Sequence, residues 1–440
     1  MPSFRKNQDS MKNKGVFCLI MALLCPVLAS AQNISLIGKV NVRNALVRLL
    51  AYDEMLTCEQ TKIAETQSDK DGNFTLKANV EEITPAQIAV NLARVDIVLA
   101  PGGNYDIEIT IPEKNEGSYF EQEMPAMKIN AADDGGFYSQ FVATQDFIDE
   151  FVHENFNRIY RERKTSLLDT LDNRLAENFG EIENKYIKDL IKYRKASVLM
   201  SVNAKKTISE YFDNQEVLYM QQAYMDMLPN LRNTIGRDDD FLSRNWQIAE
   251  LVMMMNMSRS FYSSTNNQSQ ILSSLGQIAK SSKSKKNRQV AANFTKQLKE
   301  LSYDSKAPAF SLKDKQGETV QLADYQNDML LLQFVDDITP LIENEFVALN
   351  KLHEQWSDTI QIITIATKES FDDYVQLFDK QGYNWRLLNI GENILLLEDY
   401  HVKICPAYVI LKRKNRVGMA PAPSPFHYLD AQVRRINKYL

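Results

Sequence analysis

Short apolar runs separated by turn-forming residues fill the chain between residues 34 and about 127. The turn DKDGN at 69–73 contains Gly72, which can adopt a positive φ at no steric cost, and an apolar run follows it. Other runs of strand length cover residues 34–40, 45–52, 87–92, 96–99 and 105–111. Strands at this spacing, with few helical signals, predict an antiparallel β-sandwich, which we assign to residues 32–130.

The apolar period changes to three or four residues from about residue 136 to residue 301. Ile148, Val152 and Ile159, for example, fall on one helical face. The pattern predicts an α-helical region at 131–302, and further helices are expected at 181–200, 202–212, 221–228, 241–257 and 288–301. Three consecutive methionines at 253–255 are interpreted as adaptable core packing rather than as a partner or metal site.

Strand and helix patterns alternate in residues 303–440. Apolar runs at 330–335, 360–366 and 407–411 predict buried strands, and a further strand is expected around 416–417. Helical patterns cover 340–356, 370–381 and 428–440. Alternation of this kind predicts an α/β layer fold, so the whole chain is expected to be a multidomain α+β protein.

The chain begins with a basic segment and an apolar run. Four basic residues within the first 14 positions precede the run at 16–29, and the small residues ASA at 29–31 are typical of a signal peptidase site. At about 14 residues the run is shorter than the ~20 that a transmembrane helix needs. We therefore predict a signal peptide at 1–31, beginning at Met1 or Met11 and cleaved near Ala31. The mature protein is then exported to the periplasm or cell envelope, and no transmembrane segment follows cleavage.

Composition places the chain among globular proteins, because 44% of its residues are hydrophobic and 10% are aromatic. The formal net charge is −6, and removal of residues 1–31 would make it about −9. A negative chain has no general attraction for nucleic acid, so we expect no nucleic-acid partner. Removal would also leave only Cys58 and Cys405, too few for a disulfide framework.

Several segments within residues 303–440 resemble one known family. KAPAFSLKD at 306–314, Gly317 and VQLADY at 320–325 are similar to the opening of exported thioredoxin-like proteins of the TlpA/ResA and AhpC/TSA type found in Bacteroidetes. LLQF at 331–334 resembles the first core strand of that family, and ALNKL at 348–352 resembles the helix that leaves its active site. The resemblance implies a C-terminal α/β thioredoxin-like domain at 303–440.

This sequence departs from the family's catalytic motif. Members of the family carry WCxxC at the start of the helix, where the positive helix end stabilises a reactive thiolate. Aligned without gaps, TPLI at 339–342 occupies those positions, so Thr339 and Ile342 replace the two cysteines around Pro340 and Leu341. Neither side chain can form a mixed disulfide. Thr339 is instead expected to cap the helix, and Pro340 suits its first position.

Three further residues follow from the resemblance. VKICPAYVI at 402–410 resembles the segment that carries the family's cis-proline, which would be Pro406. Cys405 would then face the helix start beside Thr339. Glu345 occupies the family's acidic position, and without a thiol pair it is interpreted as an ordinary carboxylate of the first helical turn. Cys58 is expected in a loop of the first domain, and its pairing with Cys405 would need a specific domain contact.

Other catalytic signals are missing from the sequence. His153, His353, His401 and His427 are isolated, and no zinc spacing, glycine-rich phosphate loop or nucleophile elbow occurs. Asp336 and Asp337 are adjacent and are interpreted as solvated loop carboxylates. We expect no cofactor and no metal.

Two functions remain open. The first is an exported cell-envelope protein whose degenerate, redox-inactive thioredoxin-like domain binds or scaffolds a protein or small molecule. The second is a thiol-disulfide oxidoreductase of the TlpA/ResA type that acts through Cys405. A receptor for a small ligand or glycan is a third reading, and it would need an aromatic-lined pocket between domains.

Overall fold

The computed structural model describes residues 33–112, 124–235, 239–261, 268–356 and 360–438. The predicted signal peptide, with Cys18 and Cys25, lies outside the described residues. Within the described ranges, no helix combines the length and the apolar character that crossing a membrane requires.

Two β-sheets form the N-terminal region of the described chain. The strands are Ile34–Val40 (β1), Leu46–Tyr52 (β2), Gln60–Gln67 (β3), Asn73–Ala78 (β4), Thr84–Val90 (β5), Ala93–Leu99 (β6), Asn104–Thr110 (β7) and Ala126–Asp133 (β8). One sheet has the order β4-β1-β7-β8 and the other has the order β3-β2-β5-β6. Buried side chains of both sheets share one hydrophobic cluster, which includes Leu36, Leu49, Phe74, Ile88 and Ile107.

The sheet pairing differs from the expected antiparallel pattern at one place. Strands β1 and β7 pair in parallel, with Leu36 opposite Tyr105, whereas the other pairs in these two sheets are antiparallel. The chain enters the second sheet between these two strands, so β7 returns beside β1 in the same direction. Strands β3 and β8 were not expected from the sequence. Both lie at sheet edges, and most of their side chains are at least partly exposed, so their apolar pattern is weak.

A helical region follows these sheets. Its helices are Phe137–Glu154 (α1), Leu167–Phe179 (α2), Lys185–Val202 (α3), Ala204–Tyr211 (α4), Gln222–Met225 (α5), Leu228–Ile235 (α6), Asp239–Arg244 (α7), Trp246–Ser260 (α8), Gln268–Ser281 (α9) and Lys285–Lys299 (α10), with a π-helical turn at Asn157–Arg161 after α1. Of the three methionines at 253–255, Met254 and Met255 are buried and Met253 is 41% exposed. The interpretation as core packing therefore fits two of the three.

The helix expected at 241–257 is interrupted at Asn245. The Asn245 side-chain amide donates hydrogen bonds to Asp213 Oδ1 at 2.8 Å and to the carbonyl of Phe241 at 3.0 Å, and its oxygen accepts one from the backbone N–H of Asn214 at 2.8 Å. Asparagine competes in this way with the helical backbone, so α7 ends and α8 begins here.

The C-terminal region is an α/β layer. Its strands are Ser311–Asp314 (β9), Thr319–Gln321 (β10), Leu330–Val335 (β11), Gln361–Ala366 (β12), Arg386–Asn389 (β13), Ala407–Lys412 (β14) and Arg416–Ala422 (β15), and its helices are Pro340–Trp356 (α11), Phe371–Gln381 (α12), Leu395–Asp399 (α13) and Leu429–Asn437 (α14). The strands form a sheet of order β10-β9-β13-β12-β11-β14-β15, in which β11, β12 and β13 are parallel. The predicted strand–helix alternation is present, while β13 and α13 were too short to be recognised.

An ion pair joins the N-terminal sheets to the C-terminal region. The Arg48 guanidinium donates from Nη1 and Nη2 to the two carboxylate oxygens of Glu398 at 2.9 and 2.8 Å, and Arg94 Nη2 lies 3.2 Å from Glu398 Oε1. Arg48 is 6% exposed. Burial alone would raise the pKa of Glu398, but the hydrogen bond and charge of Arg48, aided by Arg94, lower it below its ordinary value. A cavity of about 580 Å³ lies beside this contact, lined by Leu92, Arg94 and residues of the 397–403 segment.

Candidate functional site

The N-terminus of α11 lies at the end of the buried strand β11. Thr339 is exposed, and its Oγ1 accepts a hydrogen bond from the backbone N–H of Ile342 at 3.3 Å. Its carbonyl oxygen accepts one from the backbone N–H of Glu343 at 3.0 Å, and Pro340 is the first helical residue. The side chain of Leu341 is 59% exposed, whereas that of Ile342 is 4% exposed. The helix start thus presents a hydroxyl and a leucine to solvent and buries an isoleucine beneath them.

The segment before β14 carries the thiol of this region. Cys405 is partly buried against the hydrophobic cluster that contains Phe334 and Tyr400, and the Cys405–Pro406 peptide bond is cis. A second cis bond joins Ala420 and Pro421 in the neighbouring strand β15. Ile404, which precedes the cysteine, is 59% exposed.

The two cysteines of the described chain are separate. Neither Cys58 nor Cys405 forms a disulfide, so they are not bonded to each other. The Cys58 thiol donates a long hydrogen bond to the carbonyl of Met55 at 3.5 Å. Burial and the nearby Glu54 carboxylate raise the pKa of Cys58.

A buried tyrosine lies close to the thiol. Tyr374 of α12 is fully buried, its ring packs on Phe346 of α11 at a centroid distance of 5.7 Å, and its hydroxyl has no hydrogen-bond partner among the described residues. Burial raises the pKa of Tyr374, and the proximity of Cys405, Asp336 and Asp337 raises it further. Asp336 is not simply a solvated loop carboxylate, because it accepts a hydrogen bond from the Thr367 hydroxyl at 3.1 Å.

The interpretation of Glu345 as an ordinary first-turn carboxylate is wrong, because Glu345 is buried. It is 4% exposed, and its Oε2 accepts a hydrogen bond from the Tyr408 hydroxyl at 2.7 Å. The side chain points inward because it lies on the α11 face that also carries the buried Ile342 and Leu349. Burial and the Glu345 carboxylate raise the pKa of Tyr408. The sequence reasoning therefore located the residue but not its environment.

Tyr408 and Glu345 end a line of polar side chains inside the sheet. Trp385 Nε1 donates to Thr364 Oγ1 at 2.9 Å, and the Thr364 hydroxyl donates to Gln333 Oε1 at 2.8 Å. Gln333 Nε2 then donates to the Tyr408 hydroxyl oxygen at 3.2 Å. We call these five residues, from Trp385 to Glu345, the polar chain. Sequence reasoning missed it, although the glutamine inside the apolar run of β11 signalled a polar group that needs a buried partner.

A groove of about 640 Å³ connects these features. Its lining includes Leu341 and Glu345 of α11, Ile404 and Pro406 of the preceding segment, Tyr408 of β14 and Pro421 of β15. Glu300, His401 and Lys403 supply the charges of the lining besides Glu345, and Glu300 lies 3.3 Å from His401. We call this space the groove. It brings together Leu341, Glu345 and Pro406 of the sequence-predicted site, while Thr339, Ile342 and Cys405 are not part of its lining.

The histidines remain separate from one another. His353 contacts Asn384, His401 contacts Glu300, and His427 contacts Ser424. In the part of the chain that the structure describes, no group of three or more His, Cys, Asp or Glu side chains could hold a metal ion.

Comparison with known proteins shows what the C-terminal region is similar to. Residues 303–426 match the model of the AhpC/TSA family. The peroxiredoxin Bcp of Bacillus subtilis (strain 168) is 28% identical over 114 residues, which are 26% of this chain and 67% of the peroxiredoxin. The thioredoxin domain of a thiol-disulfide oxidoreductase from Bacteroides vulgatus is 18% identical, covering 31% of this chain and 97% of that chain, with a TM-score of 0.28.

A thiol:disulfide interchange protein from Bacteroides sp. is also similar, with 18% identity, 32% of this chain and 91% of that chain covered, and a TM-score of 0.28. The family match covers the sheet, α11 and all of the groove lining except Glu300 and Leu301, and it agrees with the resemblance found in the sequence. Residues 303–426 are therefore similar to the AhpC/TSA family, and this part of the chain has a thioredoxin-like fold.

Proposed function

We propose that this is an exported cell-envelope protein whose thioredoxin-like domain does not exchange disulfides but binds an extended segment of another envelope protein in the groove. The observation that carries the proposal is the helix start, where Thr339 and Ile342 stand in place of a thiol pair. Part of the same proposal is the division of the mature chain into three units, expected at 32–130, 131–302 and 303–440, with the first boundary moved to Asp133 because β8 runs from Ala126 to Asp133.

The chemistry of the helix start supports redox inactivity. Disulfide exchange needs a thiolate that attacks, and a second thiol that resolves the resulting mixed disulfide. The helix start offers Cys405 no second cysteine, so any mixed disulfide that Cys405 formed would persist until a thiol of another molecule released it. The polar hydroxyl of Thr339 is occupied as a helix cap instead.

The surface of the groove supports binding of a protein segment. Leu341 and Ile404 line it and are each 59% exposed, which is unusual for large aliphatic side chains. They stand on two different elements, the first turn of α11 and the segment before β14. Apolar side chains of an extended partner segment can therefore pack at two places, one on Leu341 and one on Ile404.

The first experiment measures redox activity. We expect the wild-type protein not to reduce insulin, and we expect Cys405 to react with iodoacetamide at the rate of an ordinary exposed or partly buried thiol. A Thr339→Cys/Ile342→Cys variant serves as the positive control, because it returns two thiols to the positive end of α11. The matched control for this variant is Thr339→Cys/Ile342→Ser, which gains only one thiol and should not reduce insulin.

The alternative, a thiol-disulfide oxidoreductase acting through Cys405, has its own signature in the same assay. Turnover by the wild type that is lost in Cys405→Ser would establish that alternative and reject our proposal. Its structural support is the position of the thiol beside the buried, unpartnered hydroxyl of Tyr374.

A further inference from the structure

The polar chain has a fixed direction. An indole N–H can only donate, so Thr364 accepts from Trp385 and must use its own proton elsewhere. That proton goes to Gln333, which therefore presents its carbonyl oxygen to Thr364 and its amide N–H groups to Tyr408. Tyr408 accepts from the amide and donates its proton to Glu345. All four hydrogen bonds of the polar chain therefore point the same way from donor to acceptor, and Glu345 is the final acceptor.

The direction of the polar chain leaves one carboxylate oxygen without a donor. Oε2 of Glu345 accepts the Tyr408 proton, while Oε1 accepts no hydrogen bond from any residue that the structure describes. Glu345 is 96% buried, and yet it lines the groove. Oε1 is not sealed off from water, so it is a carboxylate oxygen of the groove lining that is open to a hydrogen bond from a ligand.

The other charges of the groove do not supply this donor. His401 lies next to Glu300 at 3.3 Å, and Lys403 is exposed on the segment that leads to the cis bond. Around Glu345 the lining is largely apolar, with Leu341, Ile404 and Pro406. The groove therefore combines largely apolar walls with one buried carboxylate, that of Glu345, among the described residues that line it.

We propose that Glu345 selects the partner segment by binding a lysine or arginine side chain, whose charged N–H group donates to Oε1 while the flanking apolar side chains pack on Leu341 and Ile404. This inference rests on the proposed function, because it requires the groove to hold a protein segment. It adds the chemical class of that segment, a basic residue between apolar ones. A charged donor suits this place because charge-assisted hydrogen bonds to carboxylates are stronger than neutral ones.

The test uses the full-length protein and three pools of fluorescein-labelled nonapeptides. Each pool has mixed Leu, Ile, Val and Ala flanks and one fixed central residue, which is Lys, norleucine or Glu. Norleucine keeps the aliphatic stem of lysine and lacks its charge. We expect the Lys pool to bind about tenfold more tightly than the norleucine pool in fluorescence anisotropy, and the Glu pool to bind most weakly.

Two variants assign the preference to one carboxylate. Glu345→Gln keeps the size of the side chain and an acceptor for Tyr408, and it should reduce the Lys-to-norleucine ratio to about one. The control is Glu343→Gln, which removes an exposed carboxylate two positions away that does not line the groove, and it should leave the ratio unchanged. Circular dichroism melts confirm that both variants are folded.

The outcomes separate this inference from the proposed function. If the Lys and norleucine pools bind the wild type equally, and Ile404→Asp weakens both, the groove binds segments but Glu345 does not select them. If no pool binds, or if Ile404→Asp changes nothing, the proposed function fails and this inference fails with it. A Lys preference that survives Glu345→Gln also overturns the inference. If Glu345→Gln does not fold, Glu300→Gln decides the matter, because it removes the other carboxylate of the groove lining and a Lys preference lost in that variant overturns the inference.

Discussion

Gln333 and Thr364 are polar residues in the middle of a sheet whose neighbouring positions are apolar. Both are completely buried, and they lie opposite each other on the paired strands β11 and β12. Their hydrogen bonds satisfy each other, and through Trp385 and Tyr408 they extend across the domain. Buried polar groups that are satisfied in this way cost little, but each becomes expensive when its partner is removed.

Thr364→Val tests the polar chain at the level of one residue. The substitution keeps the shape of the side chain and leaves Gln333 Oε1 and Trp385 Nε1 without partners. We expect the free energy of unfolding to fall by about 2 kcal/mol in urea denaturation. Thr319→Val on the exposed side of β10 is the control and should change it by less than about 0.5 kcal/mol. Equal effects of the two substitutions would show that the polar chain contributes nothing specific.

At this scale, the sequence could identify some site residues but not their surroundings. Thr339, Ile342 and Pro406 follow from local motifs, because each depends on neighbours within a few positions. The burial of Glu345 depends on Tyr408, which is 63 residues away in the chain. No local pattern contains that contact.

Elements with strong periodicity are recovered well from the sequence. The predicted bounds of β11 and α11 coincide with the observed Leu330–Val335 and Pro340–Trp356, since one is a continuous apolar run and the other has a clear start. The bounds fail where a side chain overrides the pattern, as Asn245 does between α7 and α8. They also fail for elements of four or five residues such as β13 and α13, which are too short to show a period.

Gly72 gives a prediction about one of the predicted turns. Its φ is +85°, and a Cβ at this position would lie 2.0 Å from the carbonyl oxygen of Val40. We expect Gly72→Ala to lower the free energy of unfolding by more than about 2 kcal/mol, because both the backbone conformation and the space forbid it.

Gly276 provides the opposite case for the same substitution. It lies inside α9, and a Cβ there would have no neighbour within 4 Å. Gly276→Ala should stabilise the protein by about 0.5–1 kcal/mol, measured by the same urea denaturation. A destabilised Gly276→Ala, or an unchanged Gly72→Ala, would contradict this account.

On the scale of the whole molecule, contacts of very high sequence separation hold the regions against one another. Arg48 and Glu398 are 350 positions apart, and Asn293 of α10 donates to the buried Glu54 of the N-terminal region at 3.1 Å. These pairs could not be predicted from the sequence, because many charged and polar residues along the chain are equally suitable partners. Only the folded chain selects the partners.

Glu398→Gln tests the joint between the N-terminal sheets and the C-terminal region. It leaves the buried Arg48 guanidinium without a counter-charge, and we expect a loss of about 2 kcal/mol at about pH 7 in urea denaturation. Glu392→Gln, which removes the partner of Lys368 at an 85% exposed position, is the control and should cost less than about 1 kcal/mol.

The Arg48–Glu398 ion pair also predicts that the free energy of unfolding depends on pH. Arg48 and Arg94 lower the pKa of Glu398 below 4.5, so the folded protein releases this proton more readily than the unfolded chain does. The contribution of the pair is therefore complete above pH 4.5 and is lost as the pH falls through the folded-state pKa. The difference in unfolding free energy between wild type and Glu398→Gln should shrink when it is measured again at about pH 3. A difference that is constant with pH would contradict the ion pair.

The segment His401–Lys403 borders two spaces at once. It forms part of the wall of the groove and part of the wall of the cavity beside Arg94 and Glu398. A ligand bound in the groove would contact one side of this segment, and the other side of the segment faces the cavity next to the N-terminal sheets. If a ligand in the groove shifts this segment and so strengthens the contact of Arg48 with Glu398, then that contact must in turn strengthen binding of the ligand by the same free energy.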